Sequence, residues 1–137
     1  MSYRIRRVEY FHATLVDQPG EAYRTFSALA GLGVGLLAFT AVPMGHDRTQ
    51  LTVFPEDPGK MKSEAGRAGM ALDGPHTAVL VQGDDELGAL VDVHERIYRA
   101  NVNVYASTAI ADGFGKYGHL IFVRPEDVER VARALEI

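Results

Sequence analysis

The sequence predicts an α+β protein built from two βαββα repeats, each an antiparallel sheet with its helices on one face. Three observations lead there. Runs rich in β-branched and aromatic residues alternate with segments whose apolar residues fall at helical spacing. The order of these segments is the same in both halves. Particular residues also recur at a fixed separation: Gly20, Val34, Ala38, Thr40 and Ala41 return 68 positions later as Gly88, Val102, Ala106, Thr108 and Ala109.

In chain order, Val8–Val16 reads as a strand that stops at the turn Asp17-Gln18-Pro19-Gly20. A helix follows, with Ala22, Phe26, Leu29 and Ala30 on one side, and Gly31 and Gly33 end it. Val34–Val42 is an almost continuous apolar strand, and Gln50–Phe54 is the next. Pro55-Glu56-Asp57-Pro58 opens a helix over about Gly59–Ala71, weakened by Gly66 and Gly69. The second round has a strand at Thr77–Gln82 and a helix at Leu87–Tyr98, with Leu87, Leu90, Val91, His94, Ile97 and Tyr98 on one side. Strands at Val102–Ile110 and His119–Val123 precede a last helix, Glu126–Leu135, striped by Val128, Val131, Ala132 and Leu135. The tripeptide Pro55-Glu56-Asp57 returns 70 positions later as Pro125-Glu126-Asp127, which predicts a second hairpin two residues longer than the first. The repeats divide the chain into residues 1–72 and 73–137. A three-stranded sheet is marginal alone, so neither repeat is expected to stand by itself.

Composition narrows the function. The 137 residues are 47% hydrophobic, enough for a core, and the net charge of −4 argues against nucleic-acid or anionic-membrane partners. Arg4, Arg6 and Arg7 form the one basic stretch and read as a solvated strand edge. The absence of cysteine removes disulfides and thiolate chemistry. The arginines near the start break up any signal-peptide core, and the apolar stretch around Leu32–Val42 is far short of the roughly 20 residues of a membrane span. A cytoplasmic location is expected.

The stretch Val16-Asp17-Gln18-Pro19-Gly20 before a helix, then Gly33-Val34 leading into a strand, resembles the tandem ACT domains of metabolic regulators. The likeness runs from about Val8 to Leu135. The second repeat matches in Gly88-Ala89-Leu90, but Leu87 stands in the family's proline position and Asp84-Asp85-Glu86 lengthen the loop. The first departs with Ala22 where leucine is usual. The resemblance implies a ferredoxin-like fold and a regulatory, allosteric protein that binds an amino acid and acts through a homodimer. Its ligand residues would be Asp17, Gln18, Pro19, Gly20, Glu21 and Ala22, with Phe39, Thr40 and Ala41 on the neighbouring strand and Gly88 in the second repeat. Physical chemistry agrees that a helix start offers unpaired N–H groups and a positive dipole end to a carboxylate. Gly20 carries no side chain in the way, and Asp17 is placed to accept a hydrogen bond from an ammonium group. The same loop also reads as a turn and helix cap with no ligand. In the second loop, Asp84 and Asp85 repel a carboxylate and make good caps.

Other chemistry has little support. His12, His46, His76, His94 and His119 show neither paired helical spacing nor an HExxH run, so no metal site and no cofactor are expected. His12 and His119 read as partly buried, hydrogen-bonded strand residues, and His94 as packing on its helix. Ser107 has no nucleophile elbow, and the glycines of Gly31–Gly35 follow a helix instead of preceding one. The chain is therefore not expected to be an enzyme. One alternative is a metal enzyme or drug-binding protein of the glyoxalase/bleomycin-resistance type. That requires βαβββ repeats, with strands after Pro55 and after Pro125. Another is a module that only pairs with itself or a partner.

Overall fold

The computed structural model describes residues 3–137. Its elements run β1 (Tyr3–Val16), α1 (Glu21–Gly31), β2 (Leu36–Pro43), β3 (Arg48–Pro55), α2 (Pro58–Arg67), β4 (Asp73–Asp84), α3 (Val91–Arg99), β5 (Ala106–Ala111), β6 (Lys116–Phe122) and α4 (Val128–Leu135). The order βαββα followed by βαββα is the one the sequence predicts. Helices occupy both positions where the βαβββ alternative needs a strand, which removes that alternative.

The chain forms two compact units. The first is Glu9–His76; the second is Thr77–Ile137 together with Met1–Val8. The long strands β1 and β4 therefore each contribute residues to both units. In the first unit the strand order is β2-β3-β1-β4, and in the second β1-β4-β6-β5.

Alternation decides what each unit buries. In the first, Phe11 pairs with Val53 and Ala13 with Leu51, and this face packs against Leu29 of α1 and Met61 of α2. In the second, Val79 pairs with Ile121 and Val81 with His119, facing Val93 and Ile97 of α3 and Val131 and Leu135 of α4. Within each unit the helices thus share one face of the strands. Every such pair of the second unit lies 68 positions after its counterpart in the first. The same offset holds across the hairpins, where Thr40 faces Thr52 and Thr108 faces Leu120.

That constant register corrects the predicted longer hairpin. Both hairpins have the same length, and the two extra residues, Val123 and Arg124, fall after β6 and before Pro125. Other boundaries also shift. Strand β1 begins at Tyr3, because Tyr3 and Ile5 pack on the second unit's core. The arginines between and after them are not the solvated edge expected: β1 has a strand on each side, Arg6 is half-buried, and Arg7 pairs with Glu129 at 3.0 Å. Helix α3 starts at Val91 instead of Leu87, and Leu87, Leu90, Val91 and Tyr98 are exposed; only Val93 and Ile97 of this helix are buried. Residues 125–127 form a 3₁₀ turn before α4. Helix α2 ends at Arg67, ahead of Gly69.

A candidate ligand groove beside the second helix-opening loop

The helices α1, α2 and α3 start in three different ways. The Asp57 carboxylate accepts the Lys60 N–H at 3.1 Å, and Pro58 fills the first helical position, so α2 is closed by its own cap. Helices α1 and α3 have no side-chain cap. Each follows a glycine in the left-handed region, Gly20 at φ 91° and Gly88 at φ 82°, where a Cβ would be strained.

In the first loop, neighbouring side chains take up that helix start. Gln18 Nε2 donates to Glu21 Oε1 at 2.7 Å, and Arg24 reaches the same oxygen at 3.1 Å. The Gln18 hydrogen bond, helped by Arg24, holds the Glu21 carboxyl below the usual carboxylate range. Arg24 lies over Gly20, with Nη1 3.3 Å from where a Cβ would stand. Asp17, Pro19 and Ala22 are exposed around this cluster. Phe39 packs against Phe26 of α1 with tilted rings, centroids 4.7 Å apart, and Thr40 and Ala41 follow it on β2.

The second loop is different. A groove of about 560 Å³ is walled by Asp85–Val91 on one side and by Ala109, Ile110 and Ala111 of β5 on the other, with Tyr117 of β6 also lining it. That is a volume suited to a small metabolite. Of the residues singled out from sequence, Gly88 lines it. Its walls are largely apolar, and Asp85 and Glu86 bring two carboxylates to one end of the loop. Val91 N–H donates to Gly88 O at 3.0 Å, which sets the turn into α3.

Tyr117 is the unusual member. The residue is 7% exposed, and its hydroxyl is buried with no hydrogen-bond partner among the described residues. A buried hydroxyl left unpaired is costly, so such a group points to something outside the chain that bonds it. Burial pushes the phenol above its usual range, so it stays protonated and keeps a proton to donate. Sequence reasoning missed Tyr117, because its burial depends on α3 packing over β6, which no local spacing reveals.

Two residues along β6, His119 stacks on His94 of α3, with centroids 5.0 Å apart and Nε2 atoms 3.4 Å apart. His119 is 2% exposed. Burial first, and His94 second, pull its pKa down to about 4, so the ring is neutral in the folded protein.

No family model matches the chain, and no curated protein matches it in sequence. Solved structures do match. Protein BT0572 from Bacteroides thetaiotaomicron aligns over 96% of this chain and 88% of its own length, at 17% identity and a TM-score of 0.79. The ligand-free regulatory subunit of aspartate kinase from Thermus thermophilus aligns over 98% and 94%, at 15% identity and a TM-score of 0.62. That from Thermus flavus aligns over 99% and 95%, at 16% identity and a TM-score of 0.57. The chain has an ACT-like fold. At these identities the likeness is one of fold. Among the described residues no helix is long and apolar enough to cross a membrane.

Proposed function

We propose that this chain is a regulatory protein without catalytic activity that binds a small zwitterionic metabolite, an amino acid, in the groove beside Gly88. The observation that carries this reading is Tyr117, a residue that lines a groove next to an uncapped helix start and whose own hydroxyl is buried there without a partner among the described residues. The ligand's carboxylate would take the N–H groups at the start of α3, its ammonium the Asp85 and Glu86 carboxylates, and its side chain the wall at Leu90 and Ile110. Likeness in fold to regulatory subunits of aspartate kinase supports a regulatory role over a catalytic one.

The two ACT-type, ferredoxin-like repeats, residues 1–72 and 73–137, belong to the same reading. The loop of Asp17, Gln18, Pro19, Gly20, Glu21 and Ala22, with Phe39, Thr40 and Ala41, is the proposed second position, reached when Arg24 swings off Gly20. The ligand's effect passes to a partner through a homodimer in the cytoplasm. The edge strand β5 is exposed along its whole length, with Ile110 76% exposed and Phe114, in the turn that follows, 90% exposed, a surface suited to a second copy.

Calorimetry of the full chain against the twenty amino acids and common nucleotides tests the proposal. One amino acid is expected to bind the wild type and to bind Tyr117→Phe more weakly. Equal binding to both moves the site elsewhere. No binding by any of them, together with dimerisation in sedimentation, favours the pairing module suggested by the exposed β5 edge.

A further inference from the structure

In the first unit, β1 and β4 bring together His12, Asp73 and His76. One ligand atom from each lies within 4.8 Å of the others. His76 Nε2 stands 3.1 Å from Asp73 Oδ2. Two donors on a tetrahedral ion with bonds of about 2.0–2.1 Å are about 3.3 Å apart, so this spacing is already that of a shared ion. The His12 and His76 rings are 5.3 Å apart, and Tyr10 lies against both, at 5.2 Å and 5.3 Å.

His12 is further held from behind. Its Nδ1 is 2.8 Å from the Oγ1 of Thr52, a residue only 4% exposed. With Nδ1–H donating to that hydroxyl, the Nε2 lone pair is left for a ligand, which is how protein imidazoles on metals are oriented. Gly74, between the two β4 donors, lies so close to β1 that a Cβ would come within 2.8 Å of the Tyr10 carbonyl oxygen. A larger residue there would push Asp73 and His76 off His12. A surface ion pair accounts for Asp73 and His76 alone; it leaves unexplained a second imidazole fixed beside them by a buried hydroxyl.

We infer that His12, Asp73 and His76 form a binding site for one divalent transition-metal ion of the zinc class. Two imidazoles and a carboxylate favour zinc, cobalt or nickel over calcium or magnesium, which prefer oxygen. Three protein donors leave a position for water or an anionic ligand. This site is independent of the groove reading, because it shares no residue with it.

The test uses the metal-free full chain, titrated with Zn²⁺ by calorimetry and with Co²⁺ by its visible absorption. One equivalent is expected to bind, with Co²⁺ giving the absorption of a low-coordinate nitrogen–oxygen site. His76→Ala and Asp73→Asn change exposed or half-exposed side chains and should fold as the wild type does, checked by circular dichroism. Each should lose at least about tenfold in affinity, and Thr52→Val should lose about tenfold by freeing the His12 ring. His46→Ala, on the exposed β2–β3 turn, should bind as wild type does. No Zn²⁺ binding, or binding unchanged in His76→Ala and Asp73→Asn, overturns the site. Binding unchanged in Thr52→Val overturns the assignment of His12, and binding lost in His46→Ala relocates the ion.

Discussion

The loops that open α1 and α3 both turn on a glycine at positive φ, directly before α1 and three residues before α3, and differ in what their side chains do there. Both follow a strand, and neither helix has a side-chain cap. At Gly20, Gln18, Glu21 and Arg24 bond one another and Arg24 lies over the glycine. At Gly88 nothing lies within 4 Å of where a Cβ would stand, and the position 68 residues after Arg24 is Asp92, turned to the Tyr3 hydroxyl. The chain covers one helix start with its own side chains and leaves the other uncovered beside a groove. A glycine turn shared by two loops therefore does not fix what covers it; the residue one turn along the helix, Arg24 in one and Asp92 in the other, differs.

The largest expected effect breaks this comparison directly. Valine at either glycine carries a similar backbone penalty, of order 1–3 kcal/mol, because a β-branched residue tolerates positive φ poorly. Gly88→Val also places methyl groups in the groove, so ligand affinity should fall on the order of 100-fold, about 2.7 kcal/mol. Gly20→Val should cost similar stability and reduce affinity less than about threefold. Calorimetry with the amino acid found in the screen, beside thermal unfolding of both variants, checks this. The opposite ranking would assign the ligand to the first loop.

Next in size is a pH effect that rests on the second unit's His119, whose pKa is pulled down further than that of His12 in the first unit. Counting back 68 positions from His94 and His119 gives Phe26 and Leu51, an apolar contact in the first unit's core. His119 is neutral when folded, with a pKa of about 4, below the ordinary value of 6.5. The unfolded chain binds its proton below 6.5 and the folded chain does not until about 4. Stability is thus fully present above pH 6.5 and declines as pH falls from there to about 4. The full shift corresponds to roughly 3 kcal/mol, and about 2 kcal/mol is expected after local relaxation. His119→Leu, which installs the first unit's residue, should flatten that window in urea unfolding followed between pH 7.5 and 4.5. An unchanged slope would mean the ring is not held neutral.

A smaller effect separates stability from binding at one atom. Tyr117→Phe removes the unpartnered hydroxyl, so it should raise stability by up to about 1 kcal/mol and weaken the ligand by roughly five- to tenfold. Moving both in the same direction would show that the hydroxyl has a partner within the chain.

How far these features could be read in advance follows their range along the chain. The element order was legible because alternation and helical spacing are local, and the α2 cap stood plainly in Asp57-Pro58. The start of α3 was not, since Leu87 and Leu90 fit a helical stripe while lying exposed on the loop. Gly88 could be found through its correspondence with Gly20, but Tyr117 could not. The histidines show no paired spacing along the chain, yet two of them come together: His12 meets His76 only where β1 runs beside β4, and Asp73-Gly74-Pro75-His76 was the one local trace.

The smallest expected effect on the fold sharpens the comparison most. Arg24 and Glu21 form an exposed ion pair, and such pairs contribute about 0–1 kcal/mol, so Arg24→Ala should change stability by no more than a few tenths to 1 kcal/mol. The substitution would nonetheless uncover Gly20 and return the α1 start to the state of the α3 start. Glu21 stays behind, and its carboxylate opposes an anionic ligand while remaining available to an ammonium. Arg24→Ala alone should therefore add only weak binding at the first loop, and Arg24→Ala with Glu21→Ala, the residue found 68 positions later at Ala89, should add more. Calorimetric stoichiometry distinguishes the cases: one measurable site per chain in the wild type, where Arg24 keeps the first loop too weak to register, and a second, weaker site becoming measurable in the double variant. If the double variant still binds one equivalent, Arg24 is not what closes the first loop, and the missing groove wall on β2, where Phe39 lies on Phe26, is the cause instead.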